Sequence, residues 1–223
     1  MSLRPDERRL RLMGGLVYLL ALEYFFAEQV AAAAWGTPSY SWASNYISDL
    51  GITSCSATVC SPRHVVMNLG FVTLGVVVGL GSWLLRNQLF SGRTGRLALC
   101  LMSLSGVGDV LVGLFPGSVE GVASGSQMMH TLGAGLAITC GNAGILLSGV
   151  SLWPRDRFLA GYSTVSGVVG LGALAFFVGD APLVAEIGVG AIERIAADPI
   201  VIWMVVLGAW SLSRAVRERD STG

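Results

Sequence analysis

The sequence predicts an all-α, polytopic integral membrane protein, a single domain over residues 1–223 built as a bundle of six transmembrane helices. Three observations predict it. Six apolar stretches punctuate the chain, at 12–35, 64–85, 97–115, 128–152, 158–179 and 199–216. Each holds roughly 18–25 residues, enough at about 1.5 Å per residue to cross a hydrocarbon core of about 30 Å. Charged residues make up only 13% of the chain, so the stretches are apolar on all faces, where a soluble domain would show polar stripes. Finally, all fourteen basic residues are arginines, and twelve fall in alternate gaps between the stretches.

The arginines set the orientation. Arg4, Arg8, Arg9 and Arg11 precede the first stretch, and Arg86, Arg93 and Arg96 lie between the second and third. Arg155 and Arg157 separate the fourth and fifth, and Arg214, Arg217 and Arg219 follow the last. The opposite connections hold only Arg63 and Arg194, beside Asp49, Glu120, Asp180, Glu186, Glu193 and Asp198. Positive charge stays with the cytosol, so this pattern predicts a multi-pass protein of the cell membrane with both termini cytoplasmic. A net charge of zero gives no reason to expect nucleic acid as a partner.

Taken in order, the first stretch is too long for the core of a signal peptide, and it carries a costly carboxyl, Glu23, midway. The loop 36–63 is the one long outer connection, opening with Thr37-Pro38 and rich in Ser, Asn and Tyr. Cys55 and Cys60 lie within it, where an oxidising compartment permits a disulfide. Adding His64 gives Cys-x4-Cys-x3-His, which is not a familiar zinc spacing and lacks a nearby fourth ligand. Cys100 and Cys140, inside stretches, read as small apolar packing residues. Residues 183–197 predict an amphipathic helix lying at the outer surface, with Glu186 and Glu193 on one face. Asp198-Pro199 then reads as an N-cap and first helical position for the last stretch. Glycines at 75 and 79, 133 and 135, 141 and 144, and 167 and 170 predict close helix contacts.

Depth sorts the polar residues to one side. His64 and Asn68 begin the second stretch, Asp109 lies in the outer half of the third, and His130 opens the fourth. The loop segment holding Tyr40, Ser41, Asn45, Ser48 and Asp49 must fold over them. Asp49, His64, Asp109 and His130 are therefore the candidate catalytic residues. Tyr40, Asn45, Ser48, Asn68, Glu193 and Arg194 are the candidate binding residues, with Glu193 and Arg194 readable also as a plain surface ion pair. A carboxylate beside an imidazole suits a general base, or two imidazoles and a carboxylate a divalent ion. Helix capping and interhelix hydrogen bonding use the same residue types. No Walker loop, HExxH, GxSxG or paired CxxC is present, so the motifs name no cofactor, and a metal enters only with the hydrolase alternative.

Several segments together resemble a bacterial and archaeal membrane family of unknown function, domain of unknown function nine-nine-eight. They are Tyr40-Ser41 leading to Asn45-Tyr46-Ile47-Ser48-Asp49-Leu50-Gly51, then Asn68 with Phe71 and Gly75. Gly113-x-Phe115-Pro116, His130-x2-Gly133-Ala134 and Gly188-x4-Glu193-Arg194-Ile195 complete the likeness. It implies six transmembrane helices and an outer polar face, and no established activity. More distantly, outer Ser, Asp and His look like the intramembrane metal hydrolases that include alkaline ceramidases, which use three histidines where this chain has two. The expected function is binding or accessory: recognition of a lipid headgroup, a small molecule or a membrane partner, including a second copy. The alternative is an intramembrane hydrolase of lipid esters or phosphates at the outer leaflet.

Overall fold

The computed structural model describes residues 5–36, 38–56, 59–118, 125–179 and 182–220. Arg4, Thr37, Glu120 and Asp180 of the sequence reading lie outside the described residues, as does the side chain of Arg219. The described elements are all helical: α1 (Pro5–Leu19), α2 (Leu22–Ala33), a 3₁₀ turn (Ser48–Gly51), α3 (His64–Leu84) and α4 (Arg86–Leu89). Then come α5 (Gly92–Leu114), α6 (Ser126–Leu152), α7 (Arg157–Val178), α8 (Pro182–Ile187) and α9 (Val189–Asp220). Six units are long and apolar enough to cross a membrane: α1 with α2, then α3, α5, α6, α7 and α9. The protein is an all-α, multi-pass membrane bundle.

The first span is not one helix. Leu20 bonds to the carbonyls of both Leu16 and Val17, and Ala21 bonds back only to Tyr18, a local tightening to the 3₁₀ pattern that splits α1 from α2. The spans form a closed ring in which each packs on its neighbour in sequence and α9 returns to α1. The α5–α6 interface is the most extensive. Glycine makes it so: a methyl at Gly108 would enter the backbone of Gly133 and Ala137. Gly75, Gly141, Gly144, Gly167 and Gly170 also take part in close approaches, whereas Gly79 and Gly135 have open space where a side chain would stand. Buried polar side chains are tied across the ring, with Tyr18 to Ser82 at 2.8 Å and the Trp203 indole donating to Ser163 at 2.8 Å. The outer surface of the ring carries residues such as Phe26, Met128 and Phe158, as a lipid-facing belt requires.

The last span departs from the sequence reading. Helix α8 stops at Ile187, Gly188 turns with φ +99°, and α9 begins at Val189. The expected surface helix over 183–197 is therefore divided, with its second half belonging to the spanning helix, and Glu186 and Glu193 share no helical face. Asp198 does not cap a helix, since Pro199 sits inside α9. Proline leaves the Ile195 carbonyl without its usual donor. One residue on, α6 meets the helix: the Asn142 amide donates to the Ala196 carbonyl at 2.7 Å and to its own Ile138 carbonyl at 2.9 Å. Gly170 of α7 leaves the space that the Asn142 side chain occupies.

The disulfide Cys55–Cys60 closes a short turn in the loop. Below it the loop is pinned to α3, where Asn68 donates to the Gly51 carbonyl at 2.8 Å. The Ser61 hydroxyl donates to the Leu50 carbonyl at 2.6 Å, with Leu50 fully buried.

Candidate functional site

The loop 40–51 is fastened to the start of α9 by three kinds of contact. The first uses bare backbone. A helix begins with N–H groups that lack intrahelical partners, and here the Ala43 carbonyl accepts from Gly190 at 2.8 Å and from Ala191 at 3.1 Å. Only glycine fits this approach, because a side chain at Gly188 or Gly190 would meet the backbone of Ala43 or Asn45.

The second contact is Glu193, whose Oε2 accepts from the Ile47 N–H at 2.5 Å. The third is Arg194. Its guanidinium donates through one nitrogen to Glu28 Oε1 and to the Tyr40 hydroxyl, both at 2.6 Å. Through the other it reaches the carbonyls of Trp42 at 2.9 Å, Gly190 at 3.0 Å and Asn45 at 3.4 Å. Its charge also lies 4.7 Å from the centre of the Trp42 ring and 5.6 Å from that of Tyr40, within cation–π range. The Arg194 and Glu28 side chains are only 12% and 3% exposed, so Glu193 and Arg194 are not a surface ion pair. Each reaches away to a different partner.

Outside the spans, burial pushes the Tyr40 phenol up to about 12, against the opposing pull of Arg194. Burial likewise raises the Asp49 carboxyl above its ordinary value, although Tyr46 donates to its Oδ2 at 3.0 Å and the Asn45 amide at 3.4 Å. Asn45 also accepts from the Ser41 N–H at 2.9 Å, so Asn45 and Asp49 fold the loop on itself.

Beneath the fastened loop lies a cavity of about 50 Å³, bounded by Ser48 from the loop, Asp109 from α5, His130 from α6 and Glu193 from α9. That is room for a few waters, at about one per 10–15 Å³. Its remaining walls are Tyr24 and apolar residues, among them Phe71, Leu74 and Val112. His130 Nδ1 lies 3.0 Å from the Phe115 carbonyl, which can only accept. Nδ1 therefore carries the proton of the neutral ring, leaving Nε2 as a lone pair. Among the described residues Asp109 receives no hydrogen bond and does not orient His130.

The candidates thus divide. Asp109, His130, Ser48 and Glu193 come together at the cavity, Tyr40, Asn45 and Arg194 join in the fastening above it, and Asp49 folds the loop on itself. His64 is outside the cavity lining, with Nδ1 3.0 Å from the Ser61 carbonyl at the start of α3, and Asn68 serves the loop base. Glu28 and Asn142 are the residues that reading the sequence missed. The available signal for Glu28 was the one that flagged Glu23, an ionisable side chain within a span. Among the described residues no three His, Cys, Asp or Glu side chains are grouped to hold a metal ion.

No curated protein and no solved structure matches the chain. A family model does, over residues 9–210, which reaches into all six spans and takes in the loop and the start of α9. The chain belongs to the family described as Protein of unknown function (DUF998).

Proposed function

We propose that the protein binds a small cationic group, the amine of a lipid headgroup or of a free small molecule, in the cavity beneath the loop. In this reading the cavity opens at the outer leaflet of the cell membrane and both termini are cytoplasmic. One observation carries it: Asp109 lines the cavity with no donor from the described residues, and no arginine lines it. An ionised carboxylate within a membrane costs about 2.5–3.5 kcal/mol on insertion scales, which a bound cation offsets. The small volume fits an amine and not a whole headgroup.

The test is titration of purified protein in detergent with ethanolamine and with phosphatidylethanolamine micelles. Asp109→Asn is expected to weaken binding at least about tenfold, the worth of one charge-assisted hydrogen bond, while its helical content is retained. Unchanged affinity in folded Asp109→Asn sinks the reading. Reporter fusions that place the amino terminus outside would reverse the proposed sidedness.

A second reading, hydrolysis of a lipid ester, draws on Ser48 and His130 lining one cavity with Nε2 unprotonated. Turnover of a fluorogenic lipid ester that disappears in both Ser48→Ala and His130→Ala would favour it over binding alone.

A further inference from the structure

The opposite end of the bundle holds a second cavity, of about 220 Å³, where four separate parts of the chain meet. Arg11 comes from α1, Asn87 and Gln88 from α4, Arg155 from the turn before α7, and Trp210 and Arg214 from the end of α9. Leu152, almost fully buried, is part of its wall. Three guanidiniums thus face one space against two carboxylates, Glu7 and Asp156.

Asp156 is already committed. One oxygen accepts from the Leu159 N–H at 3.1 Å as the cap of α7, and the other lies 3.4 Å from Arg214. Arg155 gives one N–H to the Gln88 carbonyl at 3.1 Å and, among the described residues, has no carboxylate partner. Both Arg155 and Arg214 are exposed, so their remaining donors are available to a ligand. The Arg214 charge rests 5.1 Å from the centre of the Trp210 ring, which holds the guanidinium at the cavity rim. Arginine's planar fork matches the oxygens of a phosphate.

We propose that this cavity binds a net-anionic phosphate, carried either by a lipid headgroup or by a small soluble molecule. Its size is below the roughly 300–1,000 Å³ that encloses a drug-sized ligand, and so fits a headgroup with the rest of the molecule left outside. Topology alone would place arginines at this end. It would not require that residues 11, 155 and 214, far apart in sequence, converge on one space beside an indole and two amides.

The experiment uses the full-length protein in neutral detergent, titrated with phosphatidylglycerol, phosphatidylcholine and inorganic phosphate. Binding is read from Trp fluorescence and from lipid retained in native mass spectrometry. Phosphatidylglycerol is expected to bind in preference to phosphatidylcholine, with an affinity that falls as salt rises. The variant Arg155→Gln/Arg214→Gln is expected to lose at least about tenfold, from the attraction that each arginine near a membrane surface supplies. Arg93→Gln, on the same end but outside the cavity lining, is the control and is expected to bind as the parent does. Saturable displacement by inorganic phosphate assigns the soluble source, and its absence the lipid; either supports the site. Equal losses in Arg93→Gln and the double variant would reduce the effect to surface potential and overturn it. Undiminished phosphatidylglycerol binding in the double variant, with helical content intact by circular dichroism, would overturn it as well.

Discussion

Two ion pairs, one at each end of the bundle, show what placement does to the same chemistry. Arg194–Glu28 is 2.6 Å long with both side chains nearly enclosed, whereas Arg214–Asp156 is 3.4 Å long with the arginine 47% exposed. Away from water, a charge must be met by fixed partners, and Arg194 is met by a carboxylate, a phenol and three carbonyls. In water, solvent and salt do that service, and the guanidinium keeps donors in reserve. The loop end is therefore a place where charge holds structure. The arginine end is a place where charge remains on offer.

The largest effect that could break this contrast is loss of the enclosed pair. Arg194→Ala leaves Glu28 buried without its counter-charge and is expected to destabilise the protein by about 3–5 kcal/mol. Denaturant unfolding in detergent measures it, and a loss below about 1 kcal/mol would class the pair with surface bridges. Replacing both partners, as in Glu28→Leu/Arg194→Leu, should recover part of the loss, because no charge is then stranded.

An intermediate effect comes from Tyr40. Its phenol ordinarily titrates near 10 and in the folded protein near 12. Between those values the folded state keeps a proton that the unfolded chain has released, so stability falls as pH rises from about 10 to about 12. Tyr40→Phe should make that fall shallower in pH-dependent thermal melts. Identical slopes in variant and parent would show that the phenol does not feel the enclosure ascribed to it.

The smallest effect belongs to the open end. Arg214→Ala is expected to change unfolding free energy by no more than about 1 kcal/mol. A larger loss would make the two ends alike and would recast Arg214 as a structural residue.

Much of this architecture is legible in the sequence because hydropathy and span length answer directly to the bilayer. The six spans follow from that logic, and the Cys55–Cys60 disulfide from the loop's two closely spaced cysteines. The top of α9 does not. Asp198-Pro199 carries the local signature of a helix start, yet the break falls earlier, at Gly188. What bears on it is tertiary: the Ala43 carbonyl covers the true amino end, and Asn142 from another helix donates to the Ala196 carbonyl beside the proline. Likewise Glu28 gives no local hint of which arginine it meets, since Arg194 lies 166 residues away along the chain. His64 and His130 share an end of the bundle, but depth along a helix does not say which way a ring faces. His64 turns back to the Ser61 carbonyl at its own helix start.

The docking of the Ala43 carbonyl on Gly190 and Ala191 has a practical consequence for building chimeras within the family. Residues 40–51 and 188–194 constitute one module of exchange although more than a hundred positions separate them. Grafting either segment alone would strand amide hydrogens on the recipient and collide with whatever side chain replaced Gly188 or Gly190. Swapped together, they would carry this backbone fit with them, while Arg194 would still need Glu28 from the recipient.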